Sequence, residues 1–173
     1  LRTFGWRDWG LILASGTALG VHFIAWIEAL YYTSVASASV LATTSPVFVA
    51  VLGYLILKER LAWPVVGGIV VAVGGAALMG LTDAGAVAFG PDAWWGNILA
   101  LSAALLVSVY LLIGRAIRQH VSWLAYLIPL YSVAALITLG TAIGQGVPLT
   151  GFNPVVYACG IGLALGPQVL GHS

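Results

Sequence analysis

Residues 29–57 contain no charged side chain, and the first charges after them belong to Lys58, Glu59 and Arg60. About 20 consecutive apolar residues are enough for a helix to cross the hydrocarbon core of a bilayer. An apolar run that ends in a small basic cluster is typical of a membrane-spanning helix and its cytoplasmic end. The run therefore predicts an integral membrane protein, and the rest of the sequence repeats the pattern.

The composition excludes several other classes of protein. Only 6% of the 173 residues are charged, whereas a soluble domain carries about 25% charged residues. The net charge of +1 provides no basic surface for nucleic acid, so no nucleic-acid partner is expected. The single cysteine, Cys159, excludes an internal disulfide, and we expect neither a cofactor nor a metal site.

The charge-free stretches predict an all-α, polytopic helical membrane protein with six transmembrane helices. The predicted spans cover residues 9–29, 34–57, 63–81, 95–114, 123–143 and 154–173, the last of them cut short. Tryptophan is enriched at membrane–water interfaces, and six tryptophans fall near the ends of these spans. They are Trp6, Trp9, Trp63, Trp94, Trp95 and Trp123.

The basic residues predict how the chain is oriented. If the chain crosses the membrane six times, all six basic residues fall on one side. The connections on the other side contain no Lys or Arg. The six basic residues are Arg2, Arg7, Lys58, Arg60, Arg115 and Arg118. Loops rich in Lys and Arg stay in the cytoplasm. We therefore expect these residues to face the cytoplasm. We expect the protein itself to lie in a bacterial inner membrane.

Two short segments indicate an internal repeat. GTALG at 16–20 and GLALG at 162–166 are nearly identical, and their register pairs His22 with Gln168 and Trp26 with His172. The charges place the two spans in opposite directions, which is typical of an inverted-topology repeat. A five-residue match in Gly/Ala-rich sequence also arises by chance. The GxxxG glycines fit either static close packing or surfaces that slide during a conformational change.

Longer segments carry a resemblance to a known family. YTSVASASVLATTSPVFVAVLGYLILKERL, followed by VVGGIVVAVGGAAL, closely resembles the first repeat of EamA-type transporters of the drug/metabolite transporter superfamily. WGNILALSAALLVSVYLLIGRAIR resembles the opening helix of the second half, and GLALGPQVLGHS resembles the start of that half's third helix.

The resemblance implies an arrangement of ten helices in two inverted halves of five, of which this chain is an internal fragment resembling helices three to eight. Residues 1–81 would be the last three helices of the first repeat, 82–94 an extracytoplasmic loop, and 95–173 the first three helices of the second repeat. The implied function is a secondary-active transporter that exports small metabolites such as amino acids by alternating access. Its expected partners are the small-molecule substrate and the lipid bilayer.

Polar residues inside the spans are the candidates for substrate contact. His22 is ionisable and lies within lipid depth, where such side chains tend to face a cavity or a partner; a histidine bonded to a neighbouring helix is the alternative. Trp26 lies one turn later and fits either an aromatic wall or an interfacial position. Glu28 fits a solvated carboxylate at the rim better than a gate.

The second candidate region lies halfway along the second span. Pro46 removes one backbone hydrogen bond and bends the helix, and freed carbonyls beside Thr43, Thr44 and Ser45 would line a polar cavity. Hydroxyls bonded back to their own helix are the alternative. Tyr110 would contact substrate or another helix. The predicted substrate-binding set is His22, Trp26, Thr43, Thr44, Ser45, Pro46, Tyr110 and Gln168.

Two other classes of function were weighed against a transporter. An intramembrane enzyme would need clustered catalytic groups, but the sequence contains neither HExxH nor GxSxG, and Asp83 and Asp92 fall in a loop. A non-transporting membrane scaffold or subunit would not need polar pairs inside the membrane. The sequence also has no GxxxxGK[ST] motif, so a gradient of substrate or ion would have to supply the energy.

Overall fold

The computed structural model describes residues 5–59, 62–84 and 92–163, and no strand occurs among them. The helices are α1 (Trp6–Ala29), α2 (Val35–Ala42), α3 (Ser45–Leu57), α4 (Trp63–Ala84), α5 (Ala93–Ile117), α6 (Trp123–Gly144) and α7 (Pro154–Leu163). The chain divides into two compact units, residues 1–139 and 140–173, with the end of α6 and all of α7 in the second. The prediction of an all-α polytopic protein is confirmed.

Four helical stretches are long and apolar enough to cross a membrane. They are Trp6–Ala29, Val35–Leu57, Ala93–Ile117 and Trp123–Gly144. The apolar part of α4, Trp63–Leu78, is shorter, and α7 has ten described residues. The helices α1 and α5 extend two or three residues beyond the predicted spans, because a helix continues into the interface even after its apolar stretch ends.

The second predicted span is broken rather than bent. The helix α2 ends at Ala42, Thr43 and Thr44 form a turn, and α3 begins at Ser45 with Pro46 in its first turn. A proline is tolerated there because the first N–H groups of a helix have no helical partner. The sequence predicts a bend at Pro46; in the structure two residues in a turn, Thr43 and Thr44, separate the end of α2 from the start of α3.

The helix α5 lies at the centre of the first unit and packs against α1, α2, α3 and α4. One core cluster joins α1, α5 and α6 through large apolar side chains such as Ile12, Tyr110, Tyr126 and Leu130. A second, smaller cluster joins the end of α1 to α2 and α5. In contrast, most of α4 is exposed, with Val71 at 76%, as expected for a helix that faces lipid or further protein.

The helices α1 and α6 approach each other closely at the first GxxxG motif. A Cβ added at Gly16 would lie 2.7 Å from Val133 Cβ and 2.8 Å from the Leu130 carbonyl oxygen, and one added at Gly20 would lie 3.1 Å from Ile137 Cβ. Small residues permit such approach of two backbones inside a membrane. In this structure the motif therefore serves close packing.

An ion pair and a histidine–carboxylate contact lie at one end of the first unit. Arg115 contacts Glu59 at 2.6 Å, which joins the end of α5 to the end of α3. His120 Nε2 lies 3.0 Å from Asp8 Oδ1, which joins the α5–α6 connection to the start of α1. These contacts place the start of α1, the α3–α4 connection and the α5–α6 connection at the same end of the unit. Arg2 and Arg60 lie outside the described residues.

Candidate substrate site

His22 is fixed by a backbone carbonyl of a neighbouring helix. Its Nδ1 lies 2.8 Å from the carbonyl oxygen of Ala103 on α5. A carbonyl oxygen only accepts hydrogen bonds, so Nδ1 carries the hydrogen and donates it. In the neutral ring this leaves Nε2 with its lone pair, and Nε2 bonds to no other described residue. The half-buried ring thus presents a hydrogen-bond acceptor at membrane depth.

Trp26 and Glu28 follow His22 towards the end of α1. Trp26 is half-buried and lies one turn after His22 on the same face. Glu28 is also half-buried, and no ion pair to it occurs within the described ranges. His22 and Trp26 are therefore available together as a polar and an aromatic contact, whereas Glu28 lies nearer to the end of the helix.

We call the turn at Thr43 and Thr44, between α2 and α3, the break. Both threonine hydroxyls there donate to carbonyl oxygens of α2. Thr43 Oγ1 lies 2.8 Å from the Val40 carbonyl oxygen, and Thr44 Oγ1 lies 2.6 Å from that of Leu41. The alternative reading of these residues, hydroxyls bonded back to the helix, is therefore what the structure contains. Thr44 is 7% exposed, whereas Thr43 and Pro46 are exposed.

The break is joined to α5 through Ser108. Its hydroxyl lies 2.9 Å from the Ser45 carbonyl oxygen and 2.6 Å from the Ala104 carbonyl oxygen. Ser108 is fully buried, so this contact is shielded from solvent. The bond from Ser108 to the break could not be deduced from the sequence spacing.

A cavity of about 280 Å³ lies beside the break, between α2–α3, α4 and α5. Among the described residues that line it, only Thr44 has a polar side chain, and its hydroxyl donates to the Leu41 carbonyl oxygen. The remaining lining residues are Leu41, Val47, Phe48, Val73, Ala76, Ala77 and Leu101. This cavity suits an apolar group of a ligand.

Tyr110 lies in the α1–α5–α6 core rather than beside the cavity. It is 6% exposed, and its carbonyl oxygen lies 3.4 Å from both Ser15 Oγ and the hydroxyl of Tyr126. Those two hydroxyls are 2.6 Å apart. Sequence analysis missed Ser15 and Tyr126, although Ser15 directly precedes the glycine of the first GxxxG motif.

The structure therefore groups the predicted residues into separate places along α5. His22 reaches α5 at Ala103, and the break reaches it at Ser108. Five residues of helix separate these points by about 7.5 Å along the axis. Gln168, the predicted repeat partner of His22, lies outside the described residues. No group of three or more potential metal ligands occurs in the part of the chain that the structure describes.

Comparison with known proteins gives one family match. Residues 2–81 match the EamA-like transporter family. An uncharacterized transporter of Bacillus subtilis (strain 168), YetK, is 27% identical over 115 residues, which cover 66% of this chain and 35% of that protein. The chain thus spans about a third of the length of this relative. No solved structure matches.

Proposed function

We propose that this chain, whose residues 2–81 match the EamA-like transporter family, forms part of a secondary transporter for small metabolites such as amino acids. It is an integral membrane protein with long apolar helices. We place its basic end in the cytoplasm of a bacterial cell and assign export as the direction. The two inverted halves would expose a central site alternately to each side.

The observation that carries the proposal is the ionisable side chain of His22 inside a membrane-spanning helix, with one ring nitrogen bonded to a neighbouring helix and the other unpaired among the described residues. An ionisable side chain at membrane depth is costly and tends to mark a substrate or ion pathway. The Ala103 carbonyl oxygen, 2.8 Å from Nδ1, fixes the ring orientation and leaves Nε2 as an acceptor.

Other predicted substrate contacts would act together with the acceptor Nε2 of His22. Trp26, one turn further along α1, would supply an aromatic surface for the cargo. The break at Thr43–Pro46 would supply backbone oxygens, and Gln168 would be the repeat-related partner of His22. Tyr110 contributes indirectly, because its carbonyl oxygen accepts a hydrogen bond from one of the two hydroxyls, Ser15 or Tyr126, that join α1 to α6.

A non-transporting scaffold or subunit is the competing function, and a substitution at His22 separates the two. We would reconstitute the full-length protein in vesicles and follow the accumulation of a panel of labelled amino acids. His22→Ala should abolish accumulation at unchanged protein level. The matched control is His120→Ala, which removes a histidine at the charged end, outside the spans, and should leave accumulation intact.

Each outcome separates the hypotheses. Accumulation that survives His22→Ala would contradict the role of His22 while retaining a transporter. Loss in both variants would indicate a general effect on folding and contradict the specific role. No accumulation of any amino acid by the folded wild-type protein would contradict this substrate class and favour the scaffold.

A further inference from the structure

Two contacts bring charged residues from three segments of the chain to the same end of the first unit. Asp8 Oδ1, at the start of α1, lies 3.0 Å from His120 Nε2 in the α5–α6 connection. Glu59 Oε1, directly after α3, lies 2.6 Å from Arg115 Nη2 near the end of α5. We call this surface the basic face. It consists of Arg7, Lys58, Arg115 and Arg118 with the acidic residues Asp8 and Glu59.

The basic face carries positive charge that no carboxylate of the chain compensates. Only two of the five acidic residues, Asp8 and Glu59, lie on this face, and the two contacts engage both of them. The other three carboxylates lie near the opposite ends of α1, α4 and α5. Arg7, Lys58 and Arg118 are exposed and form no ion pair within the described ranges. An anion from outside the chain therefore finds three cations without a partner.

Lys58 has a backbone conformation in which glycine is the usual residue. Its φ of 57° and ψ of 28° lie in the left-handed region, and no other non-glycine residue among those described has a positive φ. The residue after the last turn of a helix often adopts this conformation, and it is usually glycine because a Cβ is strained there. A strained lysine at this position indicates that its charged side chain has a use.

Exposed apolar side chains place the basic face at the depth of the lipid headgroups. Trp6, beside Arg7, is 95% exposed, and Trp63, at the start of α4, is 86% exposed. Leu57, directly before Lys58, is also exposed. Tryptophan prefers the membrane–water interface, and long basic side chains near helix ends extend towards it. The unpaired charges therefore lie next to surfaces that contact lipid.

This combination of charge and depth favours a lipid over an anion in solution. Anionic headgroups attract basic residues that lie next to a membrane span. A lipid is held at this depth by its own acyl chains, and those chains can cover the exposed tryptophan and leucine side chains beside the charges. A soluble anion would gain only the electrostatic part of the interaction.

We propose that the basic face is a binding site for the phosphate headgroup of an anionic lipid. Arg7, Lys58 and Arg118 are its charged contacts, and Trp6 and Trp63 lie beside the acyl chains. The Arg115–Glu59 pair holds the end of α5 next to the end of α3, and so keeps Lys58 and Arg118 at one surface. This inference concerns the membrane around the protein and does not depend on what the protein transports.

The test compares two lipids with identical acyl chains, dioleoylphosphatidylglycerol and dioleoylphosphatidylcholine, of which only the first has a net negative charge. Native mass spectrometry of the full-length protein, released from detergent, measures the dissociation constant of the first bound molecule of each lipid. One basic residue near the headgroup contributes about fivefold to the affinity for an anionic lipid. We expect phosphatidylglycerol to bind at least about tenfold more tightly, and higher ionic strength to reduce this preference.

Lys58→Gly is the informative single variant, because it removes the charge and relieves the strained backbone. It should lower the preference for phosphatidylglycerol about fivefold, while the protein with phosphatidylcholine stays at least as stable as the wild type. Glutamine at Arg7, Lys58 and Arg118 together should abolish the preference. The matched control is Glu28→Gln, which also changes one charge but lies about 30 Å from Asp8 along α1. Its preference should equal that of the wild type.

Equal affinity of the wild type for the two lipids would overturn the proposal, as would a preference that survives the triple substitution. A preference that also falls in Glu28→Gln would overturn the assignment to this face. Inorganic phosphate that displaces phosphatidylglycerol at equal concentration would show a site for soluble anions and contradict a lipid site. Accumulation of amino acids in vesicles is measured separately, so failure of the lipid site leaves the transport proposal standing.

Discussion

Replacement of Gly16 by alanine should destabilise the contact between α1 and α6. The added Cβ would lie 2.7 Å from Val133 Cβ and 2.8 Å from the Leu130 carbonyl oxygen, whereas carbon atoms in contact are about 3.5–4.0 Å apart. The two helices must therefore separate by about 1 Å at this point. Such overpacking costs about 1–3 kcal/mol. The better helix propensity of alanine offsets up to about 1 kcal/mol of it.

Gly10→Ala is the matched control, because it lies on the same helix and its added Cβ would meet nothing within 4 Å. It should gain the propensity without the clash. We expect Gly16→Ala to be less stable than Gly10→Ala by about 1–3 kcal/mol. Reversible unfolding of the full-length protein in mixed micelles measures the free energy of unfolding of both variants. Equal stability of the two would refute the close approach of α1 and α6.

Two further substitutions test polar contacts of the same unit, again by the free energy of unfolding. Tyr126→Phe removes the hydroxyl that lies 2.6 Å from Ser15 Oγ and should cost about 0.6–1.7 kcal/mol, the range for hydrogen bonds between membrane helices; a neutral result would contradict that bond. Arg115→Gln breaks the exposed pair with Glu59 and should cost at most about 1 kcal/mol. About 1 M salt should remove most of the difference from the wild type, and a loss that persists in salt would show that Arg115 contributes through packing instead.

The charge pattern predicts the helical spans well because the bilayer imposes a single requirement on each of them. A segment that crosses lipid must be long, apolar and helical, and these properties are visible in residues 9–29, 95–114 and 123–143. The ends of α1 and α5 extend beyond these limits, because a helix can continue into the polar interface. Hydropathy reports where lipid ends and does not report where the helix ends.

The details of the break depend on contacts that no local pattern records. Pro46 predicts a bend in the helix. The turn at Thr43 and Thr44 also involves their two hydroxyls, which donate to carbonyl oxygens of α2. The Ser108 hydroxyl, on α5, donates to the Ser45 carbonyl oxygen. Residues 45 and 108 are far apart in sequence. Their proximity follows only from the way α3 packs on α5.

The predicted site residues show the same limit. The type and depth of His22 made it a candidate, but its partner is a backbone carbonyl, which carries no signature in the sequence. Tyr110 was chosen for its hydroxyl, whereas its carbonyl oxygen is the group that accepts a hydrogen bond from the hydroxyl pair of Ser15 and Tyr126. Those two residues were missed because a lone serine or tyrosine in an apolar helix is usually unremarkable.

The buried hydroxyl pair of Ser15 and Tyr126 has a consequence for how the protein could move. It joins α1, from the first predicted half, to α6, from the second, at a depth where no water is available to replace a lost hydrogen bond. Rocking of residues 1–81 against 95–173 would have to open this contact and the close approach at Gly16. A motion that preserves both would carry α1, α5 and α6 together as one rigid block. Displacement of α3 against this block would in addition break the Ser108–Ser45 bond and the Arg115–Glu59 pair.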